Sequence, residues 1–527
     1  MSEDVSGLLS AHLPPRPVQR LDLIALRVHR RASRTPVPLC PTSRALPASG
    51  LPVRATDHAT RRDLIRPDPT ERIPVSKSTA RPGVFAALRV RDYRVYWSTG
   101  LVSNVGTSMQ GVALDWFVLN LTHSGTAVGW AAGLQFAPVL LFGLWGGVIA
   151  DRCDRRTLLL WAQSLYAAQA VLLSVIVLSG HAPLWSVYLL SFGLGCVFTV
   201  ENPARLSFVT ELVGGPLIPN AAGLNILSLN AARLIGPAIA GMLIAVIGTG
   251  WVFAVNAVSF AVVTVGLLTI RKRARPIRVE RPPWAGAGAA GLRYVAARPE
   301  LVGVFTIFGL VATFALNFST TLTLFAGRVF AVGSSGLGFM STALSVGTIA
   351  GTLVATRRAS PRVRTVIAGA VLFGVSEALA AFMPSYLAFL VMLLPAGFTL
   401  MTLNTAVSAF VQSEVSNAMR GRVMAVYTVI SMGGAPLGGP VIGWISQHAG
   451  VRWGMASGGA AAVLAAVAVA LWLSRQRAAV PRPLPGARAG AADPARASAN
   501  SAAPEPTSTS APTSTPEPTP TGGIPHD

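Results

Sequence analysis

Long uncharged stretches dominate the middle of the chain. From about residue 92 to about residue 474 the residues are almost wholly apolar, and short polar breaks divide this region. A stretch of about 20 apolar residues is long enough to cross a bilayer as a helix, and only a helix satisfies the backbone of an isolated segment in lipid. The alternating strands of about ten residues that a β-barrel requires do not occur in the sequence. The pattern predicts an all-α integral membrane protein whose twelve transmembrane spans, numbered 1 to 12, lie near residues 95–119, 127–150, 157–179, 184–206, 219–247, 251–270, 301–327, 335–356, 363–383, 385–410, 421–446 and 453–473.

The two ends of the chain differ from this apolar region in composition. Residues 1–88 are rich in Arg, Pro, Ser and Thr, and residues 475–527 are rich in Pro, Ala, Ser and Thr. Such segments bury too little apolar surface to fold, so we expect two disordered tails. The first tail has no signal-peptide pattern, because no apolar run follows its charges. A start site assigned too far upstream and an Arg-rich arm for nucleic acid are the alternatives for this tail.

The distribution of positive charge predicts how the spans are oriented. The 527 residues are 52% hydrophobic and only 12% charged, with a net charge of +22, whereas soluble domains are about 25% charged. The basic residues collect in alternate loops, at Arg152, Arg155, Arg156, Arg271, Lys272, Arg273, Arg275, Arg278, Arg281, Arg293, Arg298, Arg357, Arg358, Arg362, Arg420 and Arg422. The intervening loops carry only Arg328 and Arg452. Because loops rich in Lys and Arg stay in the cytoplasm, we expect both termini to be cytoplasmic. Membrane topology then explains the positive net charge, and we expect no nucleic-acid partner.

The two halves of the apolar region are related in sequence. A set of residues in spans 4 to 6 recurs 202 positions later: Gly195, Asn202, Phe208, Val209 and Trp251 match Gly397, Asn404, Phe410, Val411 and Trp453. Since six spans separate the copies, both run in the same direction. The repeat predicts two parallel six-helix bundles, 89–270 and 301–474, joined by a cytoplasmic linker, 271–300. Parallel repeats with a site at their interface are typical of one large class of secondary transporters.

A charged motif follows span 2. It reads Gly146-Gly147-Val-Ile-Ala-Asp151-Arg152-Cys-Asp154-Arg155-Arg156 and resembles the cytoplasmic signature Gly-x-x-x-Asp-Arg-x-Gly-Arg-Arg of the major facilitator superfamily. Asp154 stands where many members have Gly. The resemblance implies a close helix contact at Gly147. It also implies a gating cluster of Asp151, Arg152, Arg155 and Arg156 that latches the two halves on the cytoplasmic face.

A small-residue motif lies in span 5. The motif is similar to the pattern Gly-x8-Gly-x3-Gly-Pro-x2-Gly-Gly of the superfamily's antiporters, with two glycines replaced by alanine. Its residues are Gly223, Ala232, Gly236-Pro237 and Ala240-Gly241. Small residues let helices approach closely, and a proline bends the span. Generic helix packing is the alternative interpretation of this motif.

Two other stretches, 103–116 and 201–205, resemble the branch of the superfamily related to enterobactin exporters and macrolide-efflux proteins. The resemblance covers residues 88–474 and neither tail.

Charged residues inside spans are costly and usually functional. Four occur, namely Asp115, Glu201, Arg233 and Glu377. In the superfamily's fold, spans 1, 4, 7 and 10 line the central cavity, so Asp115 and Glu201 are the candidates for proton exchange and Arg233 could neutralise either acid. Each acid also has a structural alternative. Asp115 could form a structural pair with Arg233, Glu201 could form a gate or cap with Arg205, and Glu377 could have a local structural role.

Four neutral polar residues also lie inside spans. They could contact substrate or form helix–helix hydrogen bonds, and they are Gln110, Gln135, Asn317 and Asn404.

These features predict a transporter and not an enzyme. No Gly-x-x-x-x-Gly-Lys-Ser/Thr loop is present, so ATP is not the expected energy source. The three cysteines match no metal spacing, and we expect neither a metal nor a cofactor.

Our primary hypothesis is a proton-coupled antiporter of the plasma membrane that acts as a monomer. It would export a small amphipathic molecule, such as a drug, macrolide, siderophore or secondary metabolite, and could confer multidrug resistance. The alternatives are a symporter that imports a small solute and a membrane sensor or scaffold without transport activity.

Overall fold

The computed structural model describes residues 83, 85–270, 287–355 and 362–479. These residues form helices and turns, with no strand among them. Nearly all of the predicted N-terminal tail, the C-terminal tail beyond residue 479 and the first part of the predicted linker lie outside the described residues. So do Arg357 and Arg358 of the loop after span 8.

Every predicted span corresponds to a long helix, and we number these helices 1 to 12 like the spans. Helices 1 to 6 are Arg91–Thr122, Gly125–Arg152, Arg155–Leu178, Leu184–Val213, Ile218–Ile247 and Thr249–Thr269. Helix 7 is discontinuous and begins at Pro299, and helices 8 to 12 are Gly333–Ala355, Val363–Ala381, Tyr386–Glu414, Asn417–His448 and Val451–Ala479. Short 3-10 turns precede helices 1 and 5, at Ala86–Arg89 and Gly215–Leu217. The prediction of an all-α membrane protein is confirmed.

Helix 1 differs from the other eleven in polarity. Eleven of the described helices are long and apolar enough to cross a membrane, and helix 1 is not among them, although its 32 residues provide the length. The reason is a series of polar side chains along it: Ser103, Asn104, Thr107, Ser108, Gln110 and Asp115. Several of these are buried against other helices, so the low apolarity of helix 1 reflects its position inside the bundle.

The packing of the helices reflects the internal repeat. In the first half, helix 2 packs along helix 4 and helix 3 along helix 6; in the second half, helix 8 packs along helix 10 and helix 9 along helix 12. The pairs are equivalent after a shift of six helices. This correspondence is what a parallel duplication produces.

The two halves meet mainly along three pairs of helices. Helix 2 packs against helix 11, helix 5 against helix 8, and helix 1 against helix 7. At the first pair, Gly129 lies against the carbonyl group of Gly439; at the second, a Cβ added to Gly241 would lie 2.5 Å from the Ser334 carbonyl oxygen. These contacts lie towards the end of the bundle that contains the turns at 123–124, 248, 330–332 and 449–450, which we call the far end. The opposite end, where helix 1 begins, is called the basic end.

Helix 7 is interrupted near its middle. It consists of Pro299–Leu310, a π-helical turn Val311–Ala315, the helix Phe318–Leu324 and a second π-helical turn Phe325–Val329. Leu316 and Asn317 belong to no helical turn. The sequence predicts one continuous span at 301–327, because no proline or glycine stands between residues 310 and 326 to mark the interruption. Non-helical backbone at membrane depth occurs only where protein or a water-filled cavity satisfies it.

The linker contains a short helix that the sequence analysis did not predict. Ala287–Ala296 lies within the predicted linker and packs against Arg422 through Gly291. The Tyr294 hydroxyl accepts a hydrogen bond from the Ser416 backbone N–H, 3.4 Å away, and this bond lowers the pKa of Tyr294. The Arg298 guanidinium lies 4.4 Å from the centre of the Tyr294 ring. The end of the linker is therefore attached to the basic end of the second half.

We predict that Gly129→Ala destabilises the protein. A Cβ at this position would overlap the Gly439 carbonyl group in helix 11, and overpacking of this kind costs about 1–3 kcal/mol. Thermal unfolding of the purified protein in detergent should therefore occur at a lower temperature. The matched control is Gly193→Ala, because a Cβ there meets no atom within 4 Å. Equal melting temperatures for the two variants would contradict the close contact between helices 2 and 11.

Candidate functional site

A buried carboxylate links the two halves at the interruption of helix 7. Asp115, on helix 1, is only 5% exposed, and the Ser319 hydroxyl of helix 7 donates a hydrogen bond to its Oδ2 atom. Ser319 lies two residues after the non-helical pair Leu316 and Asn317. Discontinuous helices are a recurrent feature of substrate and ion sites in secondary transporters, so this contact is the centre of the candidate site.

Asn317 satisfies backbone that the interruption exposes. Its side-chain amide donates to the Thr313 carbonyl oxygen at 2.7 Å, which replaces a lost helical hydrogen bond. Gly438 of helix 11 leaves space for this arrangement, since a Cβ there would lie 2.8 Å from Asn317 Nδ2. Asn317 is buried and therefore has a clear structural role at the site.

Arg233 lies on helix 5, where that helix meets the second half. Its backbone carbonyl accepts a hydrogen bond from the Ser345 hydroxyl of helix 8 at 2.9 Å, and its side chain is exposed. An exposed guanidinium at membrane depth favours a hydrated space over lipid. The ion pairs between described residues are Arg155 with Glu211 and Arg205 with Glu201; the sequence-based pairing of Arg233 with Asp115 is not among them.

Glu201 lies inside the first half and not between the halves. It is 4% exposed, and its Oε1 atom is 3.7 Å from Arg205 Nε, one helical turn away. The pair borders a small pocket among helices 1, 3, 4, 5 and 6, whose lining includes the polar residues Tyr96, Ser103, Asn104, Gln163, Asn225 and Ser228. The expectation that Glu201 faces the central cavity is therefore wrong in this conformation, whereas its pairing with Arg205 is observed. The physical reason is that an isolated buried carboxylate is costly.

Two other polar candidates form hydrogen bonds between helices. Gln110 donates to Gln169 Oε1 at 3.1 Å and accepts from Asn256 Nδ2 at 2.6 Å, which ties helices 1, 3 and 6 together. Asn404 accepts a hydrogen bond from the Tyr427 hydroxyl at 2.8 Å, which joins helices 10 and 11. Gln110 is buried and Asn404 is partly buried, and amides away from water need such partners, so the packing alternative describes both residues in this structure.

The charged motif after helix 2 organises the basic end of the first half. Arg155 pairs with Glu211 at the end of helix 4, and Arg156 donates to the carbonyl oxygens of Leu267 and Leu268 at 2.9 and 3.0 Å. A cation at the C-terminal end of a helix is favourable, so Arg156 stabilises the end of helix 6. Asp151 and Arg152 are exposed.

Two details of this motif differ from expectation. The close helix contact predicted at Gly147 occurs instead at Gly146, which lies against the Thr199 carbonyl group, while a Cβ on Gly147 would meet no atom within 4 Å. Asp154, the departure from the superfamily pattern, is the N-cap of helix 3 and accepts a hydrogen bond from the Thr157 backbone N–H at 2.9 Å. Asp is among the best N-cap residues, which explains how the turn tolerates the loss of Gly.

The small-residue motif lies at the contacts of helix 5. A Cβ on Gly236 would lie 2.7 Å from Ser108 Cβ in helix 1, and Gly241 adjoins helix 8. Pro237 is buried, and its carbonyl oxygen faces Gly338 of helix 8. A Cβ added to Gly338 would lie 2.5 Å from that oxygen. Gly223 has open space around its Cα. Gly236, Pro237 and Gly241 therefore form close helix contacts, whereas Gly223 does not.

The sequence analysis did not identify Ser319. The signal was a polar run inside an otherwise apolar span, Asn317-Phe-Ser319-Thr320-Thr321, of which only Asn317 was considered. Within the described residues, no three His, Cys, Asp or Glu side chains could hold a metal ion. The arrangement can bind a proton or a hydrogen-bonding ligand.

We predict that Arg205→Met is destabilising and that Glu201→Gln rescues it. Removing the guanidinium leaves Glu201 as an unpaired buried carboxylate, which costs about 3–5 kcal/mol. Thermal unfolding should show a large decrease for the single variant and a partial recovery for Glu201→Gln/Arg205→Met. A double variant as unstable as Arg205→Met would show that the pair does not interact.

The chain matches a known family over most of its length. The family model described as transmembrane secretion effector, which belongs to the major facilitator superfamily, matches residues 82–481. The enterobactin exporter EntS of Escherichia coli O1:K1 is 24% identical over 353 residues, which is 67% of this chain and 84% of the exporter. The staphyloferrin A transporter of Staphylococcus aureus strain NCTC 8325 is 23% identical over 348 residues, which is 66% of this chain and 87% of that transporter.

A solved structure supports the same fold. The bacterial homologue of the human lysosomal transporter Spinster, in an inward-facing and occupied conformation, superposes with a TM-score of 0.59. The match covers 73% of this chain and 97% of the other, at 16% identity. This likeness shows the fold alone, whereas the family match covers both six-helix halves. The chain belongs to the transmembrane secretion effector family of the major facilitator superfamily, and it is a multi-pass secondary transporter of the cell membrane and not an enzyme.

Proposed function

We propose that this transporter is a proton-coupled antiporter that exports a small amphipathic molecule from the cytoplasm. The observation that carries the proposal is the buried acid Asp115, which accepts a hydrogen bond from Ser319 of the other half. Because this contact joins the halves beside the interruption of helix 7, a change in the charge of Asp115 acts directly on their relative position. A few kcal/mol suffice to exchange two conformations of this kind.

The direction of transport is inferred from the relatives and from helix 5. The two relatives described above are named for export of enterobactin and transport of staphyloferrin A. The small residues of helix 5 lie at contacts with helices 1 and 8, as expected for the antiporter-like motif. Both features favour export over the import expected of a symporter.

The proposed substrate class is a siderophore or a metabolite of similar size and polarity. Arg233 is exposed at the middle of helix 5 and could bind an acidic group of such a molecule. In the family, the cavity between the halves provides the apolar surroundings for the rest of the ligand. Drugs and macrolides remain alternative substrates of the same site.

The proposed cycle begins with the far end closed, as in the described structure. The basic end, rich in Arg, is cytoplasmic according to the positive-inside rule, so the substrate enters from the cytoplasm. Substrate binding and loss of the Asp115 proton favour opening of the far end, because an ionised carboxylate is more stable in water than buried. Release of substrate and binding of an external proton then allow the far end to close. A single chain contains both halves, so we propose that the monomer is functional.

We predict that Asp115→Asn abolishes substrate-dependent proton movement. The test uses everted membrane vesicles energised by respiration, to which iron-free siderophores, macrolides and cationic dyes are added separately. Wild-type vesicles should release protons from the lumen when a substrate is added, and Asp115→Asn vesicles should not. Ser319→Ala keeps the acid but removes its partner, so it should reduce the rate and retain coupling.

The control is Asn120→Ala, which removes a polar side chain at the far end of helix 1 outside the proposed site. It should behave as the wild type when expression is equal. Proton release that survives in Asp115→Asn would contradict the role of this acid. Substrate that leaves the lumen together with protons would indicate a symporter.

A further inference from the structure

A third buried carboxylate, besides Asp115 and Glu201, lies close to the interruption of helix 7. Glu377, on helix 9, is 2% exposed, and its Oε2 atom has no hydrogen-bond partner within the described part of the chain. The sequence analysis assigned it a local structural role. A structural carboxylate of that kind is normally held by donors, so the absence of one at Oε2 requires another explanation.

Glu377 shares a small space with a backbone carbonyl of helix 7. A Cβ added to Gly458 of helix 12 would lie 3.2 Å from Glu377 Oε1 and 2.7 Å from the Phe314 carbonyl oxygen. Phe314 belongs to the π-helical turn directly before the interruption. The carbonyl groups at the end of a helical segment have no donor from their own helix, so two acceptors converge on the space that Gly458 leaves open.

The helices around Glu377 present no cation at its depth. On helices 7, 10 and 12 the charged residues stand within the first or last five positions, at Glu300, Arg328, Glu414, Arg452, Arg475 and Arg477. Arg452 donates to the carbonyl oxygens of Ala381 and Met383 at 3.0 and 2.8 Å. Asp115, on helix 1, is an acid as well. An ionised Glu377 would therefore be a buried charge without a cation beside it, which is strongly unfavourable.

We propose that Glu377 is a second proton-binding site of the transporter, which is occupied when helix 7 is interrupted and the far end is closed. A proton on the carboxyl group converts one of the two acceptors into a donor, and a small rotation of the side chain lets it donate to the Phe314 carbonyl. Before the far end opens, the O–H bond breaks, the proton leaves to water at the cytoplasmic basic end and the carboxylate becomes hydrated. An external proton binds again before the far end closes. Asp115 and Glu377 thus bind protons on opposite sides of the same interruption.

The role in transport rests on the proposed proton coupling, whereas the protonation itself does not. We therefore test protonation first, by infrared spectroscopy of the purified protein without substrate. At pH 7 the wild type should show the carbonyl stretch of a protonated glutamic acid, and Glu377→Gln should lack this band. Titration to alkaline pH should remove the band from the wild type. An identical spectrum for both proteins would overturn the proposal.

Two controls assign the band. Ser376→Ala changes the neighbouring residue, whose hydroxyl donates to the Phe373 carbonyl at 2.8 Å, and should leave the band in place. If Glu377→Gln does not fold, selective ¹³C labelling of glutamate carboxyl groups in the wild type should shift the band. A band that does not shift belongs to an aspartic acid and would contradict the assignment.

The second measurement asks whether this proton moves during transport. In the vesicle assay, Glu377→Gln should move half as many protons per exported molecule as the wild type. An unchanged proton count, despite loss of the infrared band, would limit Glu377 to a structural proton and overturn its role in transport. If the wild type moves no protons with any compound, the proposed function fails while the infrared result stands.

Discussion

A polar group inside a bilayer must find its partner within the protein, and this constraint accounts for much of the structure. Where helix 7 is interrupted, the backbone loses hydrogen bonds that water cannot replace. Asn317 supplies one of them to Thr313, and Ser319 is free to donate to Asp115 in the other half. The interruption thus allows helix 7 to form a polar contact between the two halves, the hydrogen bond from Ser319 to Asp115. Glycines in helices 11 and 12 give the displaced backbone the space it needs.

The same constraint separates what the sequence could predict from what it could not. Apolar runs and basic loops determine where most helices begin and end. Most ends were predicted within about four residues, whereas helices 4 and 12 continue to Val213 and Ala479, beyond their predicted ends at 206 and 473. The interruption of helix 7 follows from tertiary contacts with Gly434 and Gly438 of helix 11, and no local residue signals it. Likewise, Glu201 could be recognised as an intramembrane acid, but its orientation towards Arg205 depends on how helix 4 is rotated. Sequence patterns therefore identified the acids and offered Arg205 as a partner of Glu201, whereas only the packing revealed Ser319 as the partner of Asp115.

The charged motif shows how a family pattern tolerates substitution. Asp154 replaces a turn glycine and compensates by capping helix 3, while Arg155 and Arg156 hold the ends of helices 4 and 6. The motif therefore makes the basic end of the first half rigid. In the proposed cycle this rigid half moves against the second half, and the contact at Asp115 responds to the proton.

The central claim is that ionisation of Asp115 favours opening of the far end. Its most direct test is the distance between spin labels at Leu121 and His448, which end helices 1 and 11 at the far end, in a protein whose three cysteines are replaced by serine. Closure buries the acid, so the account predicts a short distance at low pH that lengthens as the pH rises. In Asp115→Asn the short distance should persist to higher pH than in the wild type. A distance that does not depend on pH, or an unchanged titration in Asp115→Asn, would contradict the account.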